Sequence, residues 1–200
     1  MIKNIRKPKQ LRSIQMKEKI LKAAYRLFCE KGFYKTTTNE IAKTAGVSIG
    51  SLYSYFKDRE TILFEILELY HQQFIEIQNE FNVVSDNITD KKVLIHNLIE
   101  NLIRNHEKSK KFNKELKVLY YSNPKVAAIM DKQNKETQQI IINLFSLWKD
   151  EIKIEDLEAA AIVSFEIISA IVDRIVFGER VDRDRILQTG VNALFKFLML

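Results

Sequence analysis

The chain has 200 residues, 46% apolar and 29% charged, with five Gly, two Pro and one Cys. This is a soluble globular composition with few tight turns and no scope for an intramolecular disulfide or a Cys-built zinc site. The charge is uneven: the first sixty residues carry 14 Lys/Arg against 5 Asp/Glu, while the other 140 carry 18 against 21. The basic N-terminal unit suits a polyanion, whether nucleic acid or an anionic membrane, although a merely solvated lysine-rich surface has the same signature.

Helical periodicity runs through the whole sequence and predicts about nine helices, an all-α fold. The first spans Ser13–Lys31, with Ile20, Leu21, Ala24, Leu27 and Phe28 on one face and Gly32 just past its end. Thr37-Thr38-Asn39-Glu40 reads as a capping box that opens a short helix to about Ala45. Gly46-Val47-Ser48 ends it, and Ser48 is placed to cap a third helix from Ile49 to about Phe56. Asp58 precedes a long helix bearing Ile62, Ile66, Tyr70, Phe74, Ile77 and Phe81, and the polar stretch 84–89 closes it. Further helices are predicted over Lys91–Glu107, Lys114–Tyr121, Pro124–Trp148, Glu155–Phe177 and Arg183–Met199. Two units follow: 1–57 with its basic tail, and 58–200.

Two short helices joined by a Gly-containing turn and backed by a third are the parts of a helix-turn-helix. Gly46 supplies a left-handed turn, and Ile41, Val47 and Leu52 can pack beneath it. The outer face of the second helix is small and polar (Ser48, Gly50, Ser51, Ser54), which permits close approach to a groove floor. Tyr53, Tyr55, Lys57 and Arg59 beside it suit phosphate oxygens.

The longer string Thr37-Thr38-x-Glu40-Ile41-Ala42-x-x-Ala45-Gly46-Val47-Ser48-x-Gly50-x-Leu52-Tyr53-x-Tyr55-Phe56-x-Asp58-Arg59-Glu60 closely resembles the DNA-binding region of the TetR family of bacterial transcriptional regulators. The preceding Ile20-Leu21-x-Ala23-Ala24-x-x-Leu27-Phe28-x-x-x-Gly32 is similar to that family's first helix. Arg59 departs from the commoner Lys but keeps the charge. Carried over by position, the resemblance implies that Thr38, Tyr53, Tyr55 and Arg59 hold the phosphate backbone of double-stranded DNA. Asn39 and Ile49-Gly50-Ser51 would lie at base edges, with Thr37, Ser48 and Lys57 completing the surface. Plainer roles stay open: packing for Tyr53, a pure cap for Ser48, a solvated charge for Lys57. The tail residues Lys3, Arg6, Lys7, Lys9 and Arg12 are expected to be disordered until they meet the duplex.

In the larger unit, Glu155–Phe177 is apolar nearly all round, and the chain ends Phe195-Lys196-Phe197-Leu198-Met199-Leu200. Burial against a second copy explains both, and the resemblance implies a homodimer built from the last two helices; Ile171, Ile175, Leu194 and Phe197 are the expected interface. The resemblance further implies a ligand pocket among the middle helices. Its candidates are Asn105, His106, Tyr121, Met130, Gln133, Thr137, Trp148 and Phe165, and a pocket otherwise built mainly from Ile, Leu, Phe and Tyr favours a hydrophobic or aromatic effector.

No cofactor or metal is expected, because His71, His96 and His106 are scattered and no Gly-rich phosphate loop occurs. Cys29 reads as a bystander thiol, although Lys22, Arg26 and Lys31 nearby in sequence could lower its pKa. The longest nearly apolar stretch, Ala159 to Val172, contains Glu166 and falls short of the roughly 20 residues of a membrane span. With no signal-peptide core in the basic N-terminus, a cytoplasmic protein without a membrane partner is expected. The expectation is a non-enzymatic regulator: a repressor that binds a palindromic operator as a dimer and is released by a small, largely apolar effector. The alternative is an all-helical enzyme or binding protein acting on a small hydrophobic molecule without DNA.

Overall fold

The computed structural model describes residues 7–85, 90–180 and 182–200, and these fold into helices alone: α1 (Lys7–Lys31), α2 (Thr38–Ala45), α3 (Ile49–Tyr53), α4 (Arg59–Ser85), α5 (Lys91–Lys108), α6 (Lys110–Ser122), α7 (Pro124–Leu147), α8 (Leu157–Phe177) and α9 (Arg183–Met199). Side chains are described from Arg12 to Glu76 and from Asp90 onward, Val181 excepted, so Lys3, Arg6, Ile77 and Phe81 lie outside them.

The local signals act as their chemistry requires. The Thr37 hydroxyl accepts from the Glu40 N–H at 3.3 Å, while Glu40 Oε2 accepts from the Thr37 N–H at 2.9 Å. Gly46 takes φ +67°, and its N–H caps α2 on the Ala42 and Lys43 carbonyls. Asp58 Oδ1 accepts from the Thr61 N–H at 2.8 Å and opens α4. Asn123 caps α7 ahead of Pro124, whose missing N–H costs nothing at that position.

Several boundaries differ from expectation. α1 starts at Lys7 rather than Ser13, so the stretch from Lys7 to Arg12 is helix and not tail; Pro8 is tolerated because a first-turn N–H has no intrahelical acceptor. α3 ends at Tyr53 because Phe56, 1% exposed, turns down into the core. α6 starts at Lys110, since Ser109 closes α5 and opens α6 at once, and Phe112 and Asn113 are already buried.

Two apolar cores result. The first joins α1–α4 to Phe112, Leu116 and Leu119 of α6 and Val126 of α7. The second joins α5, the end of α7, α8 and α9 around Ile99, Ile103, Phe145, Val172, Leu187 and Leu194. Each fully buried Leu, Ile or Phe contributes about 1.5–3 kcal/mol by leaving water. Packing is therefore continuous across residues 57/58, and α6 belongs to the α1–α4 core.

The α8–α9 packing corrects the interface expected from sequence. A Cβ built on Gly190 would sit 2.8 Å from Ile171 Cγ1, so Ile171 fills a notch that only glycine leaves open. Ile171, Ile175 and Leu194 all turn inward, at 9%, 9% and 2% exposure, and Phe197 is half-buried against the same core. The outward stripe of α8 is instead Ala159, Ile162, Val163, Glu166 and Ala170, with Ile162 and Val163 at 40% and 42% exposure.

Candidate nucleic-acid interface and internal cavity

The two short helices present Thr37, Asn39, Ser48, Ile49, Gly50, Tyr53 and Lys57 exposed, with Thr38, Ser51 and Tyr55 half-buried beside them. The cause is local. Ile41, Ala42 and Leu52, with Ala45 beside them, take the buried side of a pair of helices too short to have more than one apolar face, which leaves the polar side chains on the outer side. Ser48 Oγ accepts from the Ser51 N–H at 3.1 Å and lies 2.8 Å from Ser51 Oγ, which ties the groove-facing hydroxyls to the cap of α3. Thr38 Oγ1 and the Tyr53 hydroxyl are 3.0 Å apart and join the start of α2 to the end of α3. The Tyr55 ring packs on the core beneath.

Arg59 is placed differently from the phosphate-facing side chain expected. Its Nη1 donates to the Tyr34 carbonyl at 3.1 Å and to the Thr36 carbonyl, and its guanidinium stacks on the Phe33 ring at 4.2 Å. That arrangement holds the α1–α2 turn against α4. The same turn is held from α6. Glu115 Oε1 accepts from the Phe33 N–H at 2.6 Å, and the Tyr34 hydroxyl donates to the Ser122 carbonyl at 3.1 Å. Lys125 on α7 adds an ion pair to Glu60 at 2.7 Å. Arg59 and Glu60 belong to the motif, but their partners do not, and only three-dimensional proximity reveals Glu115, 82 residues from its partner.

A cavity of about 290 Å³ lies between the two cores, walled by α4, α5, α6, α7 and α8. Of the residues expected there, His106, Met130, Gln133, Thr137 and Phe165 line it. Three do not. Tyr121 points to solvent at 88% exposure; Trp148 is buried in the second core under the Lys91 ammonium, 4.8 Å from its ring. Asn105 faces away from the cavity wall, its Nδ2 buried without a partner among the described residues. Unforeseen wall residues include Leu67, Phe74, Leu102, Asn113, Ser169 and the pair Lys117–Asp173, joined at 2.6 Å. The helical stripes of α4 and α5 contained the apolar ones, but a stripe does not say whether it faces a core or a void.

Polar groups around the cavity are largely satisfied internally. The Tyr70 hydroxyl donates to Asn113 Oδ1 at 2.7 Å, and burial pushes that phenol up to about 12, so it remains a donor. His71 Nε2 lies 3.1 Å from Glu136 Oε2. Gln133 Nε2 donates to the Leu67 carbonyl at 3.5 Å. His106 Nδ1 is 2.9 Å from the Leu102 carbonyl, and burial holds its imidazole below the usual histidine value. Among the described residues no cluster of His, Cys, Asp or Glu could hold a metal ion, and no helix is long and apolar enough to cross a membrane. Burial, the largest influence on Cys29, pushes its thiol up, opposite to the lowering its basic sequence neighbours suggested.

The parts therefore define a helix-turn-helix head carried on a helical body with an internal chamber. Comparison with known proteins gives the same assignment: residues 20–66 match the profile of bacterial regulatory proteins of the tetR family, and residues 92–198 match the tetracyclin repressor-like C-terminal domain. The chain belongs to the TetR family. Among curated relatives, the HTH-type transcriptional regulator YerO of Bacillus subtilis is 45% identical over 56 residues, 28% of this chain and 19% of that protein. AcrR of Shigella flexneri is 40% identical over 76 residues, covering 38% of this chain and 35% of that protein. The matched segments thus span about a fifth to a third of these relatives. A TetR-family transcriptional regulator from Mesorhizobium loti shares the fold, with a TM-score of 0.76 at 20% identity over 94% of this chain and 99% of that one.

Proposed function

We propose that this chain is a sequence-specific DNA-binding transcriptional regulator. It holds a palindromic operator as a homodimer and lets go when a small, largely apolar effector fills the cavity. Thr38, Tyr53, Tyr55 and Lys57 hold phosphates in this reading, while Asn39, Ile49, Gly50 and Ser51 face base edges. Repression by occupancy of the operator follows from such an arrangement. The outward stripe of α8 around Ile162 and Val163, with α9, supplies the subunit contact.

The observation that carries the reading is the position of α6. Asn113, Leu116 and Lys117 line the cavity, and Glu115 between them holds the turn that leads into the reading helices. A ligand pressing on α6 therefore displaces the head of each protomer and alters the distance between two recognition helices, which must match one turn of duplex, about 34 Å, or a multiple of it.

The test is operator binding with linkage. The protein should prefer the inverted repeat beside its own gene over scrambled duplex. The small apolar compound that most raises its unfolding temperature should weaken that binding, and operator DNA should weaken binding of the compound by the same factor. Equal compound affinity for free and DNA-bound protein would sink the release mechanism.

A further inference from the structure

We infer that the cavity selects an uncharged effector that carries a hydrogen-bond donor, a hydroxyl on an aromatic or aliphatic body, and that His106 Nε2 is the acceptor of that hydroxyl. The inference rests on the cavity being the effector site and adds the chemical class it takes.

Charged ligands find no free counter-charge in the walls. The Lys117 ammonium is paired with Asp173 at 2.6 Å and lies 4.4 Å from the Phe177 ring, so it is already neutralised and an incoming carboxylate would lie beside the Asp173 carboxylate. Asp173 is occupied by the same pair, and Glu136 is shared between His71 at 3.1 Å and Lys132 at 3.7 Å, so a cationic ligand fares no better. Burying either ion without a partner is costly. Two of the amides are partly engaged, Asn113 Nδ2 with the His106 carbonyl at 3.4 Å and Gln133 Nε2 with the Leu67 carbonyl at 3.5 Å, and Asn134 completes the amides of the wall.

His106 offers a ligand an acceptor and no free donor, unlike the Asn134 amide and the Thr137 and Ser169 hydroxyls of the same wall, which can do either. A carbonyl can only accept, so the 2.9 Å contact to Leu102 puts the imidazole proton on Nδ1 and leaves a lone pair on Nε2. No described residue donates to that lone pair. Phe74 meets the ring edge-on at 5.1 Å between centroids and fixes its plane. Burial is the largest influence and favours the neutral ring, with Lys117 pushing the same way; the Leu102 carbonyl and Asp173 oppose it. Around it the wall is Leu98, Leu102, Ile140, Leu144 and Phe165, in a space at the small end of the roughly 300–1,000 Å³ usual for such sites. A hydrocarbon of the right size leaves Nε2 desolvated and unpaired, whereas a hydroxyl satisfies it.

Three probes of one shape separate the classes: para-propylphenol, propylbenzene and para-propylbenzoate, titrated calorimetrically into the full-length protein at about pH 8, where the phenol is neutral and the benzoate ionised. The phenol should bind at least about tenfold tighter than either of the others. His106→Leu should erase the preference over propylbenzene while keeping propylbenzene binding, and His106→Gln, whose amide oxygen is an acceptor, should restore part of it. Should His106→Leu fail to fold, the wild type still decides. The ¹⁵N resonance of His106 Nε2 should move upfield with the phenol and stay in place with propylbenzene. Absent phenol binding, equal affinity of phenol and hydrocarbon, tightest binding of the benzoate, or a preference that survives in His106→Leu would each overturn the assignment. Phenol binding that depends on His106 yet leaves operator affinity unchanged would sustain the assignment and sink the effector reading instead.

Discussion

In the head formed by α1–α3, the polar residues of interest stand outside a filled core. In the body formed by α5–α9, they stand around a space the core leaves open. The caps of the head's short helices are fixed by partners three residues away, as in Thr37–Glu40 and Ser48–Ser51, and the Thr38–Tyr53 contact joins the two helices. The cavity walls are joined across long stretches of chain, as in Tyr70–Asn113 and Lys117–Asp173, beside the local His106–Leu102 contact. The reading surface is therefore preorganised whatever fills the cavity. What a ligand can change is the placement of that rigid surface, through α4 and α6, which belong to the head's core and also wall the cavity.

The largest test of this division concerns the two faces of α8. Ile162→Glu combined with Val163→Glu puts charge on the outward stripe, where no core contact is lost. We expect folded monomers by sedimentation and operator affinity reduced by about a hundredfold or more, because the two half-sites then bind independently. Leu194→Ala opens a cavity on the inward face; it should cost about 2–5 kcal/mol of stability and leave the association state alone. Dimers that survive the double charge substitution would move the subunit contact to another face.

Next in size is the separation of holding the head from holding DNA. Arg59 contacts two carbonyls and an aromatic face inside the head, whereas Lys57 is exposed beside α3. Arg59→Ala should lower the stability of the head by about 1–3 kcal/mol, since it leaves partly buried carbonyls unpaired, with no change in the salt dependence of DNA binding. Lys57→Ala should leave stability unchanged and reduce the slope of log affinity against log salt by about 1 per half-site. A reduced slope in Arg59→Ala would return that side chain to the phosphate backbone. Ser51→Val, by contrast, should cost about 1–3 kcal/mol at the operator and little on random duplex.

The head was legible in the sequence because its geometry is written locally. A capping box, a left-handed glycine and a serine cap each constrain neighbours three or four residues apart, and those constraints specify α2, the turn and the start of α3. Arg59 escaped for the opposite reason. Its acceptors are carbonyls some two dozen residues away, and a carbonyl has no signature in a residue code. In the body, periodicity found the helices but not their rotation. α8 is apolar on nearly every side, so its sequence gave no means of telling the Ile171 face from the Ile162 face. Gly190 decided it, by leaving room for Ile171. His106 was legible as a cavity residue from its place on an apolar stripe, whereas Phe165, Trp148 and Tyr121 show that aromatic character alone serves a cavity, a core or a surface equally well.

The smallest expected effect is a titration within the head. Glu40 accepts from the Lys31 ammonium, from the Thr37 N–H at 2.9 Å and from the Thr37 hydroxyl at 2.8 Å. These contacts, the Lys31 one foremost, hold its carboxyl at about 2 against an ordinary 4.5. Because the folded value is the lower, the folded state releases this proton more readily. The contribution to stability is complete above the ordinary value and is lost as pH falls from about 4.5 through about 2. Glu40→Gln removes that titration while keeping an amide oxygen for the Thr37 N–H. Other carboxylates titrate in the same range, so the informative quantity is the difference in unfolding midpoint between wild type and variant. That difference should be greatest near neutral pH, narrow below about pH 4.5 and close near pH 2. It should also shrink with added salt, because both partners are partly open to solvent. Parallel curves for the two proteins would mean that the carboxylate adds nothing to the cap, and that Thr37 alone starts the helix leading into the turn.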